Sequence, residues 1–210
     1  MPVEAPLYPV NLVLAGRPCL VVGGGTVAAR KVAGLLAAGA VVTVVAPEVT
    51  DEVRAAGVTV VERSYRPADV AGMWLVITAT DDPTVNQAVQ ADGDAGGVWV
   101  NAADDPASCS FILPAVVRQG PVMVTVSTSG YSPALATWLK GHVSAELGPE
   151  VAVLAGMLGD AREALHAAGR STEGIDWRSA LDWDMLELIR TGRTAQARER
   201  LEACLSSSSD

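Results

Sequence analysis

The sequence predicts an α/β protein: a parallel sheet flanked by helices, then a hairpin, then a helical C-terminal region. Three observations predict it. Short apolar runs alternate with helix-patterned stretches through the first half of the chain. A cluster of three glycines stands between the first run and the first helix. Beyond Ser132-Pro133 the β-branched runs stop and helical patterning takes over. Strand–helix alternation implies right-handed crossovers and hence a parallel sheet.

The elements follow in order. Cys19–Val22, bounded by Pro18 and Gly23, reads as a buried strand, because parallel strands covered on both faces are apolar throughout. Thr26–Ala38 reads as a helix, closed by Gly39. Val41–Val45, Val58–Val61, Trp74–Thr78 and Val98–Val100 supply four more strands, with a helix over Asn86–Ala95. Ser110–Leu113 and Val122–Val126 are strand-like. Arg118-Gln119-Gly120-Pro121 between them is a turn signal, so a hairpin outside the parallel sheet is expected. Helices are expected over about 133–147, 149–168, 177–191 and 194–205, with Ser132 capping the first and Pro133 in its first turn. The tryptophans Trp177 and Trp183, with Leu181, Leu186 and Leu188, are expected to pack this helical region. The boundaries are then 1–113 for the dinucleotide-binding region, 114–147 for a hairpin–helix segment and 148–210 for the helical region.

Composition narrows the function classes. The 210 residues are 50 % apolar and 19 % charged, with a net charge of −9, as befits a globular chain with a sizeable core. Residues 1–113 carry six basic and twelve acidic side chains, and residues 114–210 nine and twelve. Neither part is a basic platform, which argues against nucleic acid as a partner. No apolar run reaches the roughly 18–20 residues that span a bilayer, so no membrane partner is expected. Residues 1–18 lack a basic start and a long apolar stretch, so no signal peptide is expected. Three widely separated cysteines make neither a disulfide framework nor a metal site, and a reducing cytoplasm is expected.

Gly23-Gly24-Gly25-Thr26-Val27-Ala28 fits G-x-G-x-x-A. A strand precedes it, a helix follows it, and the next strand ends about 20 residues on, which is the context of a Rossmann-type dinucleotide site. Glycines let the backbone approach a pyrophosphate, and the helix start at Thr26 offers free amides and a positive dipole end. Gly23, Gly25, Thr26 and Val27 are therefore candidate cofactor residues. The second strand normally ends in an acid that holds the adenosine ribose. Here it runs into Pro47-Glu48, with the acid one or two positions late, and no nearby arginine favours a 2′-phosphate. Pro47 and Glu48 join the candidates, and NAD is favoured over NADP. Thr80, after the fourth strand, is a further cofactor candidate through its backbone. Asp81 and Asp82, before Pro83, are better suited to cap the next helix.

Four ordered motifs over residues 10–140 resemble those of the precorrin-2 dehydrogenase family, including the N-terminal region of siroheme synthase. They are Val21-Val22-Gly23-Gly24-Gly25-Thr26-Val27-Ala28-Ala29-Arg30-Lys31, Ala79-Thr80-Asp81-Asp82 with Val85-Asn86, Asn101-Ala102-Ala103-Asp104 with Ser110-Phe111-Ile112-Leu113-Pro114, and Ser127-Thr128-Ser129-Gly130-Tyr131-Ser132-Pro133-Ala134-Leu135-Ala136. The resemblance implies NAD-dependent oxidation of precorrin-2 to sirohydrochlorin, with Asp104 as catalytic acid/base. It implies a homodimer built largely on residues 114–147. Asn101 and the hydroxyl-rich Ser127, Thr128, Ser129 and Ser132 become candidate substrate ligands, and Arg118 and Lys140 weaker partners for its carboxylates. Thr128 stands where siroheme synthase has a serine that can be phosphorylated. Some members also insert ferrous iron as a second substrate; no resident metal is expected. A reading from another class, a regulatory domain that senses NAD without turnover, shares the glycine motif but has no use for Asn101, Asp104 and the Ser127–Ser132 loop.

Overall fold

The computed structural model describes residues 6–103, 109–173 and 175–207. The chain forms two compact units. One comprises residues 1–113 with Thr128–Pro133, the other Pro114–Ser127 with Ala134–Asp210.

The first unit is built on a five-stranded parallel sheet. Its strands are β1 (Pro18–Val22), β2 (Val41–Ala46), β3 (Thr59–Glu62), β4 (Leu75–Thr78) and β5 (Trp99–Ala102), in the order β3-β2-β1-β4-β5. The order reverses at β1, which pairs Val22 with Val45 on one side and with Thr78 on the other. In open α/β sheets ligands bind beyond the strand ends at such a switch point. Helix α1 (Thr26–Ala37) follows β1, the short α2 (Asp51–Ala55) follows β2, and α3 (Pro83–Gly96) follows β4.

Period-two alternation along β1 feeds two cores. Cys19 and Val21 pack with Val32 and Leu35 of α1 on one face. Leu20 and Val22 pack with Val76, Val89 and Val100 on the other. All four of these side chains are buried, which explains the unbroken apolar run in the sequence. Helix α3 starts earlier than its sequence pattern, because Asp82 caps it and Pro83, which needs no N–H partner there, occupies the first turn.

In the second unit, β6 (Ala115–Gln119) and β7 (Val122–Val126) form an antiparallel hairpin, with Gly120 at the turn in a left-handed conformation (φ 56°). The expected first strand, Ser110–Leu113, is not a strand. Hairpin pairing begins only beyond Pro114, while Ser110 and Phe111 are tied to β5 instead. Helices α4 (Pro133–Glu146), α5 (Pro149–Ala167), α6 (Trp183–Arg190) and α7 (Thr194–Ser207) follow. Leu154 and Met157 of α5, Met185 and Ile189 of α6, and Ala197, Leu201 and Leu205 of α7 make this unit's core. The helix expected over 177–191 is split. A 3-10 turn, Trp177–Ala180, capped by Asp176, ends before Asp182, whose carboxylate accepts from the Met185 amide and starts α6 afresh. Trp177, Leu186 and Leu188 pack on the core as expected, but Trp183 and Leu181 are exposed.

Candidate active site

The carboxyl ends of β1, β2 and β4 open onto a cleft of about 640 Å³. Gly23, Gly25, Thr26, Val27, Pro47, Glu48 and Thr80, the seven cofactor candidates, all line it. Ser64 and Tyr65 line it as well, and no sequence signal pointed to them. The Tyr65 hydroxyl donates to Asp92 Oδ2 at 2.8 Å. Burial and that neighbouring carboxylate push the phenol well above its ordinary pKa, so it stays protonated.

The three glycines have separate reasons to lack a side chain. A Cβ on Gly23 would stand 2.2 Å from the Ala79 carbonyl oxygen, and its φ of 124° is a glycine conformation. A Cβ on Gly24 would stand 2.0 Å from the Glu48 carbonyl oxygen. Gly25 is different: its φ is −83°, and a Cβ there would meet nothing within 4 Å. Protein packing thus accounts for Gly23 and Gly24. Gly25 keeps open the space in front of the first turn of α1. That turn carries no acidic residue and Gly25 makes no side-chain cap, so the helix presents its free amides to the cleft. The cradle fits a pyrophosphate, and Gly25, Thr26 and Val27 would hold it.

The loop after β4 is fixed by its own side chains. Thr80 Oγ1 accepts from the Asp82 amide at 3.0 Å, Asp82 Oδ1 accepts from Thr84 and Val85 amides, and Asn86 Nδ2 donates to the Thr80 carbonyl at 3.0 Å. Asp82 acts as the expected cap.

Beyond β5 lies the Asn101-Ala102-Ala103 segment. Asn101 is buried, with 6 % of its surface exposed, and its amide donates to the Phe111 carbonyl at 2.9 Å. The side chain expected to meet substrate is committed to the protein. Asp104, the expected acid/base, lies outside the described residues. In the Ser127–Ser132 loop, Thr128 Oγ1 accepts from the Ser132 amide at 3.2 Å and donates to the Ser132 carbonyl at 3.1 Å. Ser129 takes a left-handed φ of 51°. This hydroxyl closes the turn in which it sits. Among the described residues no group of three His, Cys, Asp or Glu side chains is placed to hold a metal ion.

Residues 10–115 match the family model described as "Putative NAD(P)-binding", a stretch that contains the whole cleft. A solved structure titled "SirC, precorrin-2 dehydrogenase" superposes with a TM-score of 0.73 at 30 % identity, over 94 % of this chain and 98 % of that one. The chain belongs to the precorrin-2 dehydrogenase family. The first two of the family's motifs, after β1 and after β4, fall at the strand ends that form the cleft. Two curated relatives are named siroheme synthase. That of Nitrosococcus oceani is 37 % identical over 94 % of this chain, and that of Photorhabdus laumondii 34 % over 95 %. This chain spans only 43 % and 44 % of their lengths.

Proposed function

We propose that the chain oxidises precorrin-2 to sirohydrochlorin with NAD, in the making of siroheme. The likeness over nearly the full length of a precorrin-2 dehydrogenase carries this reading. The open space at Gly25 supports a bound dinucleotide.

Gly25, Thr26 and Val27 hold the pyrophosphate, and Pro47 and Glu48 border the adenosine end of the cleft. When bound, NAD supplies a two-electron acceptor. The macrocycle loses a hydride with its electron pair and one proton, and Asp104 takes that proton and passes it to solvent. Ser127, Thr128, Ser129 and Ser132 line the approach for the substrate's carboxylates, Thr128 by shaping the turn and the others through hydroxyls and backbone amides. Three widely separated cysteines fit a reducing cytoplasm. No described helix is long and apolar enough to cross a membrane. The protein works as a homodimer through residues 114–147. Leu135 and Trp138, exposed three residues apart on α4, support that surface.

The test is NADH formation from NAD and precorrin-2. Wild type should turn over, and Asp104→Ala should lose about 100-fold or more in kcat, at the lower end of what a positioned acid/base contributes. Undiminished turnover would remove Asp104 from the mechanism. NAD binding without any NADH formation would instead favour a sensing role.

The name siroheme synthase on the relatives favours one addition, insertion of ferrous iron as a second substrate. Anaerobic incubation with sirohydrochlorin and ferrous iron should then give siroheme faster than the protein-free control.

A further inference from the structure

We propose that Tyr65 is a cofactor-binding residue: its ring forms the wall of the cleft that receives the adenine, and its bond to Asp92 of α3 holds that wall in place. This rests on the bound dinucleotide of the reading above, and not on the reaction it serves.

The sheet locates the adenosine end. The last pair of the β2–β3 ladder sets Ala46 beside Glu62, so the two chains leave the sheet at one level. Pro47 and Glu48 follow β2, Ser64 and Tyr65 follow β3, and all four line the cleft. In this fold the chain after the second strand meets the adenosine ribose. The base is one link further from the pyrophosphate, and β3 is one strand further from β1. Two strand spacings, about 10 Å, separate β3 from the glycine cradle. Among the described residues that line the cleft, Tyr65 is the one aromatic side chain.

Two sets of bonds fix it. The Tyr65 hydroxyl donates to Asp92 Oδ2 at 2.8 Å, across 27 residues of chain. Asp92 stands on a helix seated closely on the sheet, where a Cβ on the adjacent Gly93 would lie 2.2 Å from Val100 Cγ2. The loop that carries Tyr65 is closed on itself. Arg63 donates to both Asp69 oxygens, at 2.7 and 2.6 Å, and to the Ser64 carbonyl at 2.9 Å, while the Arg66 amide donates to Asp69 Oδ2 at 2.8 Å. Asp82 and Val85, at the start of α3, line the same cleft. The bond to Asp92 therefore ties two walls together, the loop after β3 and α3. The Tyr65 ring packs on the core of Leu20, Val22, Val45 and Val89 and keeps part of its surface open. A phenol whose hydroxyl is committed to the protein offers a ligand its ring, and an aromatic ring suits the flat face of a base.

The experiment is titration calorimetry of the full chain with NAD and with ADP-ribose, no tetrapyrrole being present. ADP-ribose keeps the adenosine and the pyrophosphate and lacks nicotinamide. Tyr65→Ala should weaken both about tenfold or more, by the same factor. Tyr65→Phe keeps the ring and loses the bond, and should cost about threefold. Tyr65→Leu fills the space without an aromatic face, and should fall with alanine rather than with phenylalanine. Asp92→Ala should match Tyr65→Phe, and the Tyr65→Phe/Asp92→Ala double variant should lose no more than either single one, because one bond is missing in all three. Wild-type affinity for ADP-ribose in Tyr65→Ala, a leucine variant that binds as well as phenylalanine, or a loss confined to NAD would each overturn the proposal. A double variant that loses the product of the single losses would overturn the part assigned to Asp92. Should Tyr65→Ala fail to fold, the leucine and phenylalanine variants carry the same comparison. Wild type that binds NAD but leaves precorrin-2 unoxidised removes the proposed reaction, and the binding series still decides Tyr65. Wild type that binds neither dinucleotide nor ADP-ribose overturns the Tyr65 assignment.

Discussion

The loops that leave β1 and β5 solve one problem by opposite means. After β1 the backbone is shaped by missing side chains: Gly23 and Gly24 let it pass under the Ala79 and Glu48 carbonyls, and Gly25 leaves room beyond. After β5 the backbone is shaped by side chains that are present, with Asn101, Cys109 and Ser110 bonding the main chain of their neighbours. The β4 loop, next to both in the sheet, mixes the two, with a cap at Asp82 and an amide strap from Asn86. A cradle for phosphate needs bare amides, which glycine provides. The backbone on either side of the 104–108 segment is held instead by side-chain bonds.

Substitutions at the glycines break this comparison most sharply. Gly23→Ala forces a Cβ into the Ala79 carbonyl at a glycine-only φ, and should destabilise the first unit by about 3 kcal/mol or more. Urea unfolding measures it, and a midpoint near that of wild type would refute the packing argument. Gly25→Ala should be the reverse, because its φ of −83° admits alanine and the space is empty. Its urea midpoint should match wild type while NAD affinity falls at least about tenfold, read by titration calorimetry. Equal affinity would mean that the space at Gly25 is not where the pyrophosphate lies.

A smaller effect tests the β4 loop. Asp82→Ala removes the cap of α3 and should lower stability by about 1 kcal/mol, with Asp82→Asn retaining most of it. The smallest effect lies away from all three loops. Asp69 accepts two hydrogen bonds from the Arg63 guanidinium and one from the Arg66 amide. The Arg63 bonds come first among the causes that hold its carboxyl below the ordinary value of 3.8. A carboxyl lowered in the folded state stabilises above its ordinary pKa, and that contribution fades as pH falls through the lowered one. Asp69→Asn should therefore lower the thermal midpoint at pH 7 by a few degrees. The variant's midpoint should also fall less than that of wild type between pH 5 and about pH 2. A parallel fall in both would remove Asp69 from the acid response.

Much of the first unit was legible in the sequence. Parallel strands covered on both faces must be apolar at every position, so β1, β2 and β4 announce themselves as runs. The glycine motif was legible because only one residue type tolerates those approaches. Tyr65 and Ser64 were not, because nothing in their spacing shows that the chain after β3 returns to the cleft. Ser110–Leu113 misled because β-branched and aromatic patterning does not say which partner will pair, and β5 captured those residues before the hairpin began. The 177–191 stretch misled because helical spacing continues across Asp182, while its carboxylate bonds the Met185 amide and starts a new helix.

By itself the sequence determined the strand–helix alternation, the phosphate cradle and the family, because each rests on local residue types that admit few substitutes. Only the tertiary structure decided what each glycine is for and which residues beyond the motifs line the cleft. It also decided that Asn101 and Cys109 face each other across a loop. Those facts depend on which segments, distant in sequence, come within about 3 Å, and periodicity carries no information about that distance.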